Sequence, residues 1–350
     1  MKNTLALPAF YKPENVVDDT RWIDFSALQS AALDTRRSLG IKPAKDDARK
    51  VGLLLIDTQR TFCDPNGELF VAGMSGDGAV QDSIRTAEFI YRNLATLSSI
   101  DCTLDTHRAF AVFHTSFVID ANGNHPAPFT TITHADIAGG VWVPDPFTAA
   151  ALKVSVMFLR QHLMDYTAKL ESAGRYALTM WPYHGMIGDK GHALVSGIAE
   201  AVNYHGLVRG VQPGIQIKGT HPFVENYSIL GPEVNSLFDG QPVPRNTEFL
   251  KELIENDVLI ITGQAKSHCV AWTISDLLRE IAAIDIALAK KIYIMEDCTT
   301  SIVVKDPTTG DVIVDYGPDA DKAFDEFRSA GMHVVNSTDP IESWPDINLV

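Results

Sequence analysis

The stretch Val258-Leu259-Ile260-Ile261-Thr262-Gly263-Gln264-Ala265-Lys266-Ser267-His268-Cys269-Val270 decides the fold. Val258–Thr262 is a short apolar, β-branched run of the kind that makes a buried strand. Gly263 then opens a tight turn. Cys269 stands at the start of an amphipathic helix predicted over Ser267–Ile281, with Trp272, Ile274 and Leu277 on its apolar side. Strand, turn and helix in that order form one unit of a parallel α/β sheet. A cysteine at a helix start faces free backbone N–H groups and the positive end of the helix dipole. Both favour the thiolate, which is the nucleophilic form. The other reading of Cys269 is a small buried hydrophobe, the usual fate of a free cysteine.

The same rhythm runs outward from this stretch. Strands are predicted at Val51–Ile56, Cys102–Leu104, Gly214–Ile217, Ile292–Met295 and His333–Val335. Helices are predicted over Ala79–Leu97, Lys190–Val202, Thr247–Glu255 and Asp319–Ala330. Such alternation argues for a Rossmann-like three-layer α/β/α fold with a mainly parallel sheet covered on both faces. Sites in open sheets of this kind lie beyond the C-terminal ends of the strands. Asp57, Asp105 and Lys218 all follow strand runs directly, and Cys269 follows one by a short turn.

Two regions break the rhythm. Residues 1–50 end in a charged stretch, Lys42–Lys50, and read as an extension that packs on the domain or on a partner subunit. The domain itself is assigned to 51–350, with an insertion at about 118–178 that begins turn-rich (Asn122–Pro126) and carries one long helix, Thr148–Leu170.

The chain has 350 residues and a formal net charge of −15. That balance argues against a nucleic-acid-binding face and against anionic membrane surfaces. Cys63, Cys102, Cys269 and Cys298 show no disulfide-framework spacing, which fits a reducing compartment. Met1–Tyr11 is broken by Pro8 and lacks the apolar core of a signal peptide, and no apolar run is long enough to span a bilayer. A cytoplasmic location is therefore expected.

Several side chains carry candidate chemistry. Asp57 closes an apolar run, where a carboxylate is either a general acid/base or a turn former and helix cap. Lys218 closes another, as a site cation or as a solvated surface lysine. Asp105-Thr106-His107 sets two ligand-type side chains at i, i+2 on a strand-to-loop junction, with His114 after it and His184 later, in Trp181-Pro182-Tyr183-His184. One carboxylate with imidazoles suits Zn, Fe or Mn with positions left open. A histidine taken alone is more often just a hydrogen-bonded structural residue. His125, His134, His162, His192, His205, His221, His268 and His333 are read as structural or surface residues.

In order along the chain stand Asp57-Thr58-Gln59 with Phe62, Asp105-Thr106-His107, His114-Thr115-Ser116-Phe117, Trp181-Pro182-Tyr183-His184, Lys218-Gly219, Tyr227-Ser228 and Gly263–Val270. Together they resemble the nicotinamidase branch of the isochorismatase-like cysteine hydrolases, over roughly residues 51–340 apart from the insertion. The resemblance implies a catalytic triad of Asp57, Lys218 and Cys269. It implies a divalent metal held by Asp105, His107 and His184, Zn first and Fe or Mn as alternatives, with His114 nearby or as a further ligand. Phe62 and Trp181 would sandwich an aromatic ring. The N–H groups of Ala265 and Cys269 would form an oxyanion hole, next to a cis peptide at Gln264–Ala265. The implied reaction is hydrolysis of a small heteroaromatic amide such as nicotinamide to acid and ammonia through a thioester. A homo-oligomer acting on a small-molecule amide is expected.

The pattern also departs from the family. Gly185 stands where a cysteine is frequent, and Lys266-Ser267 replaces Thr-Asp in the cysteine turn. The first two metal-site histidines are spaced more widely, and the insertion falls between pocket motifs. Other readings therefore stay open: a related cysteine hydrolase acting on another amide, an N-carbamoyl compound or a vinyl ether; a hydrolase whose metal activates water; and a silent scaffold on the same fold.

Overall fold

The computed structural model describes residues 4–306 and 308–349. Its centre is a six-stranded sheet of β1 (Val51–Ile56), β2 (Ser99–Asp105), β3 (Gly214–Lys218), β4 (Val258–Gly263), β5 (Ile292–Met295) and β6 (His333–Val335). The spatial order is β6-β5-β4-β1-β2-β3, with every neighbouring pair parallel. Every residue of β1, β4 and β5 is buried. A strand with no polar alternation must be covered on both faces, so the sheet is the middle of three layers.

The strand order runs outward in both directions from the β1/β4 pair. That is the arrangement in which the connections leave the sheet on opposite sides and open a crevice at the carboxyl ends. The chain leaves β1 at Asp57 and β4 at Gln264, so both segments enter the crevice. Gly263 has φ +127°, and a Cβ there would lie 2.0 Å from the Ile56 carbonyl oxygen. Only glycine lets β4 run so close beside β1 before turning.

The helices differ from the sequence reading mostly at their ends. The helix predicted over Ala79–Leu97 spans Gly78–Arg92, and the Asn93 side chain, bonded back to the Phe89 carbonyl at 2.8 Å, helps close it. Lys190–His192 is a single 3-10 turn, and the α-helix starts only at Ser196 and runs to Arg209. The long helix expected at Thr148–Leu170 is two helices, Pro146–Ala151 and Val156–Ser172. Lys153 lies at φ +58°, and Ser155 caps the second helix by accepting the Phe158 N–H at 3.0 Å. Helical periodicity continued across this break, but a left-handed residue and a new cap stop the first helix. Two small antiparallel pairs, Val118–Ile119 with Val143–Pro144 and Thr131–Ile132 with Leu178–Thr179, hold the same region. A hairpin, Val303–Lys305 with Val312–Asp315, went unanticipated.

The N-terminal helix packs on one of the chain's own helices. This helix, Phe25–Leu39, is capped by Asp24 and buries Leu28 and Ala32. It packs on the Ser196–Arg209 helix, where Thr35 and Tyr204 share a hydrogen bond of 2.7 Å.

Candidate active site and metal centre

Cys269 does not open the α-helix directly. Lys266–Val270 forms one wide π turn, and the α-helix runs from Ala271 to Ile284. Such turns recur at functional sites because they re-aim one side chain without ending the helix. The peptide Gln264–Ala265 is cis. The N–H groups on either side are bonded, Gln264 to the Ile56 carbonyl and Lys266 to the Thr300 carbonyl, both at 2.8 Å. Asp82 holds the turn from behind, accepting the Gln264 amide at 2.8 Å and the Thr300 hydroxyl at 2.6 Å.

Lys218 is buried and its ammonium is the hub of the site. It lies 3.0 Å from Asp57 Oδ2 and 3.0 Å from Asp105 Oδ1. It also donates to the Asn226 carbonyl at 2.9 Å and reaches Cys269 Sγ at 3.5 Å. Burial works against its charge, but the Asp105 and Asp57 carboxylates outweigh burial and hold it protonated well above the usual lysine range. Asp57 is wholly buried at φ +48°, a region few non-glycine residues enter. Burial raises its proton affinity and Lys218 opposes the rise. Burial likewise raises the proton affinity of Cys269, with Lys218 pulling the other way and the Asp57 carboxylate adding to the rise. Desolvation of the sulfur, the largest influence on it, favours the thiol, against the thiolate expected from the helix start.

Asp105 links this group to a second one. Its Oδ1 faces Lys218, and its Oδ2 lies 2.9 Å from His107 Nε2 and 3.4 Å from His184 Nε2. Among the described residues, Asp105, His107 and His184 are the group whose ligand atoms all lie within 4.8 Å of one another. Each imidazole is tied by its other nitrogen to a backbone carbonyl: His107 Nδ1 to Gly219 at 3.1 Å, His184 Nδ1 to Pro182 at 2.7 Å. With Nδ1 as donor, both Nε2 lone pairs point at the carboxylate, which repels them unless a cation lies between. His107 Nε2 is buried without a hydrogen-bond partner, and burial holds His184 neutral. One carboxylate with two imidazole Nε2 atoms aimed at it fits a borderline divalent ion. His114 stands beside this group. Its ring centroid is 5.9 Å from that of His107 and 6.5 Å from that of His184, and it packs on Tyr183 at 4.4 Å.

One pocket joins the two groups. It encloses about 390 Å³ of empty space, mouth included, and Cys269, Ala265, Asp105, His107, His184, Phe62 and Trp181 all line it. Larger clefts elsewhere touch none of these residues. Phe62 meets His184 edge-on at 5.6 Å. Trp181 donates its indole N–H to the Tyr227 hydroxyl at 3.2 Å and meets His268 edge-on at 5.5 Å.

The sequence reading missed several residues of the wall and of its support. His268, read as structural, lines the pocket beside Glu225, Leu69 and Ile302. Burial lowers the proton affinity of its imidazole to about 3, so it presents a neutral ring. Its place next to Cys269 was a signal that could have flagged it. Thr103 reaches Asp57 from the adjacent strand, its hydroxyl 2.5 Å from Oδ1. The signal there was period two: Thr103 and Asp105 share one face of β2. Gly185, where a cysteine is frequent in the resembled family, lies at φ +54° with Asp105 O 2.6 Å from where a Cβ would sit. This backbone has no room for the side chain.

No protein-family model matches the chain, and no curated protein does. Solved structures similar to it include a nicotinamidase/pyrazinamidase from Acinetobacter baumanii, at 19% identity and TM-score 0.47 over 83% of this chain and 97% of that one. The yeast nicotinamidase is similar at 18% identity and TM-score 0.45, over 82% of this chain and 99% of that one. A pyrazinamidase from Pyrococcus horikoshii in complex with zinc is similar at 18% identity and TM-score 0.38, over 82% of this chain and 99% of that one. At these identities and TM-scores the likeness decides neither fold nor activity, which rest on the chain's own strand order and side chains.

Proposed function

We propose that this chain is a cysteine amidohydrolase of the nicotinamidase type, cleaving a small heteroaromatic amide to acid and ammonia. The observation that carries the reading is Lys218. One buried ammonium touches the thiol of Cys269, the carboxylate of Asp57 and the carboxylate of Asp105, whose other oxygen faces two imidazoles. A packing role explains none of these contacts, since burying four ionisable groups together is costly unless they act together.

The steps follow from the contacts. Asp57 takes the thiol proton as Cys269 Sγ attacks the amide carbon. Lys218 keeps its proton and stabilises negative charge on whichever neighbour bears it. The N–H groups of Ala265 and Cys269 receive the oxyanion, a contribution of ~3 kcal/mol per donor in other enzymes. Asp57 then gives its proton to the departing nitrogen, and ammonia leaves a thioester. A water, deprotonated by Asp57, attacks the thioester and frees the acid and the thiol.

Asp105, His107 and His184 would hold a divalent ion, Zn or alternatively Fe or Mn, which would supply a Lewis-acid contact for a ring-nitrogen lone pair. Phe62 and Trp181 give the slot two aromatic surfaces, and stacking adds ~0.5–1.5 kcal/mol for a flat ring. The test is ammonia release from nicotinamide, pyrazinamide and benzamide by metal-loaded and chelator-treated protein. The expected result is a preference for the two ring-nitrogen amides that disappears with the metal. Equal rates on benzamide and nicotinamide, or brisk turnover of an aliphatic or carbamoyl amide alone, would overturn the heteroaromatic assignment.

A further inference from the structure

The two carboxylate oxygens of Asp57 stand in different surroundings. Oδ1 accepts the Thr103 hydroxyl at 2.5 Å, and the same hydroxyl oxygen accepts the Asp57 backbone N–H at 3.0 Å. Oδ2 faces the Lys218 ammonium at 3.0 Å and is otherwise buried without a hydrogen-bond partner. A threonine hydroxyl has one proton to give. With the Asp57 N–H on one of its lone pairs, that proton is committed to Oδ1. Thr103 is fully buried and lies outside the pocket wall, so it reaches the chemistry only through Asp57.

We infer that Thr103 is a positioning residue that gives the two oxygens of Asp57 separate tasks. Oδ1 is the anchor, fixed by the hydroxyl. Oδ2 is the oxygen that takes the Cys269 thiol proton and returns it to the leaving nitrogen. The inference rests on the amidase reading above and adds to it the atom through which the proton moves. Three features support it. The hydroxyl clamps both the N–H and the side chain of a residue held at φ +48°. It reaches across from the neighbouring strand, where Leu55 pairs with Cys102 and fixes the register. The ammonium that faces Oδ2 at 3.0 Å is the one that also reaches Cys269 Sγ, at 3.5 Å.

Thr103→Val keeps the shape and removes the hydroxyl, and Thr103→Ser keeps the hydroxyl. Ammonia-release kinetics, zinc content and the rate of Cys269 alkylation by iodoacetamide are measured for both variants and the wild type. The expected result is a kcat roughly ten- to a hundredfold lower in Thr103→Val, part of the ~100- to 10,000-fold a positioned base supplies, with KM little changed. Thr103→Ser should recover most of that loss. Zinc content should be equal in all three, and alkylation should be slowed in the valine variant alone. Should Thr103→Val not fold, Thr103→Ala carries the same comparison. Wild-type kcat in the valine variant, an equal loss in the serine variant, or a loss explained by missing zinc would overturn the inference. If the wild type turned over no amide, the amidase reading would fail. The alkylation comparison would still decide the positioning role, and equal rates would refute it.

Discussion

Cys269, Lys218 and Asp57 lie in three separate stretches of chain and meet within a few ångströms of one ammonium. At this scale the sequence was legible wherever a polar residue ended an apolar run: Asp57, Asp105 and Lys218 each follow a strand. It was not legible for residues whose role depends on a neighbouring strand, such as Thr103, or on the depth of a pocket, such as Glu225. Gly185 supplies a residue-scale prediction. Replacing it with cysteine puts a Cβ 2.6 Å from a backbone oxygen at positive φ, so Gly185→Cys should lose about 1–3 kcal/mol in urea unfolding. Stability equal to the wild type would show that the 181–186 turn relaxes freely. A second prediction concerns Lys218. Lys218→Met leaves two buried carboxylates without their cation, so folding stability should fall by about 3–5 kcal/mol along with any turnover. A fully stable variant would show that the carboxylates are balanced by some other group.

Among the elements, the strands were readable because burial on both faces leaves continuous apolar runs, as in Leu53–Ile56. Helix interiors were readable from apolar residues recurring at helical spacing, and helix ends were not. The break at Lys153–Ser155 and the late start at Ser196 depend on caps and a left-handed residue that apolar periodicity does not register. The π turn at Lys266–Val270 likewise preserves the helical pattern while shifting Cys269 relative to the axis. The helix Ser196–Arg209 carries a pH prediction. His205 is buried there, donates to the Leu97 carbonyl at 2.9 Å, and is held neutral by burial, its proton affinity lowered to about 4. The unfolded chain, with histidine near 6.5, takes up that proton first as pH falls. The stability involved is present above pH ~6.5 and is lost between there and about 4, at most about 3 kcal/mol. His205→Gln keeps a donor without the titration. Its unfolding free energy should therefore fall less steeply across that window, as denaturant midpoints at several pH values would record. Identical slopes would mean that His205 does not stay neutral in the folded chain.

For the molecule as a whole, strand order places the site. The order of strand addition reverses between β1 and β4, and the segments leaving these parallel strands carry Asp57 and the cysteine turn into one crevice. Strand–helix alternation predicted a parallel sheet but could not give its order. Nor could it show that the Phe25–Leu39 helix lies on the Ser196–Arg209 helix. Among the described residues, no helix is long and apolar enough to cross a membrane. The measurement that bears most directly on the central claim is ammonia release from nicotinamide by metal-loaded wild type and by Cys269→Ala side by side. The account predicts steady release by the wild type. The variant, with unchanged fold and metal content, should fall at least roughly a thousandfold, to the buffer rate. Comparable release by the variant, or none by the loaded wild type, would contradict it.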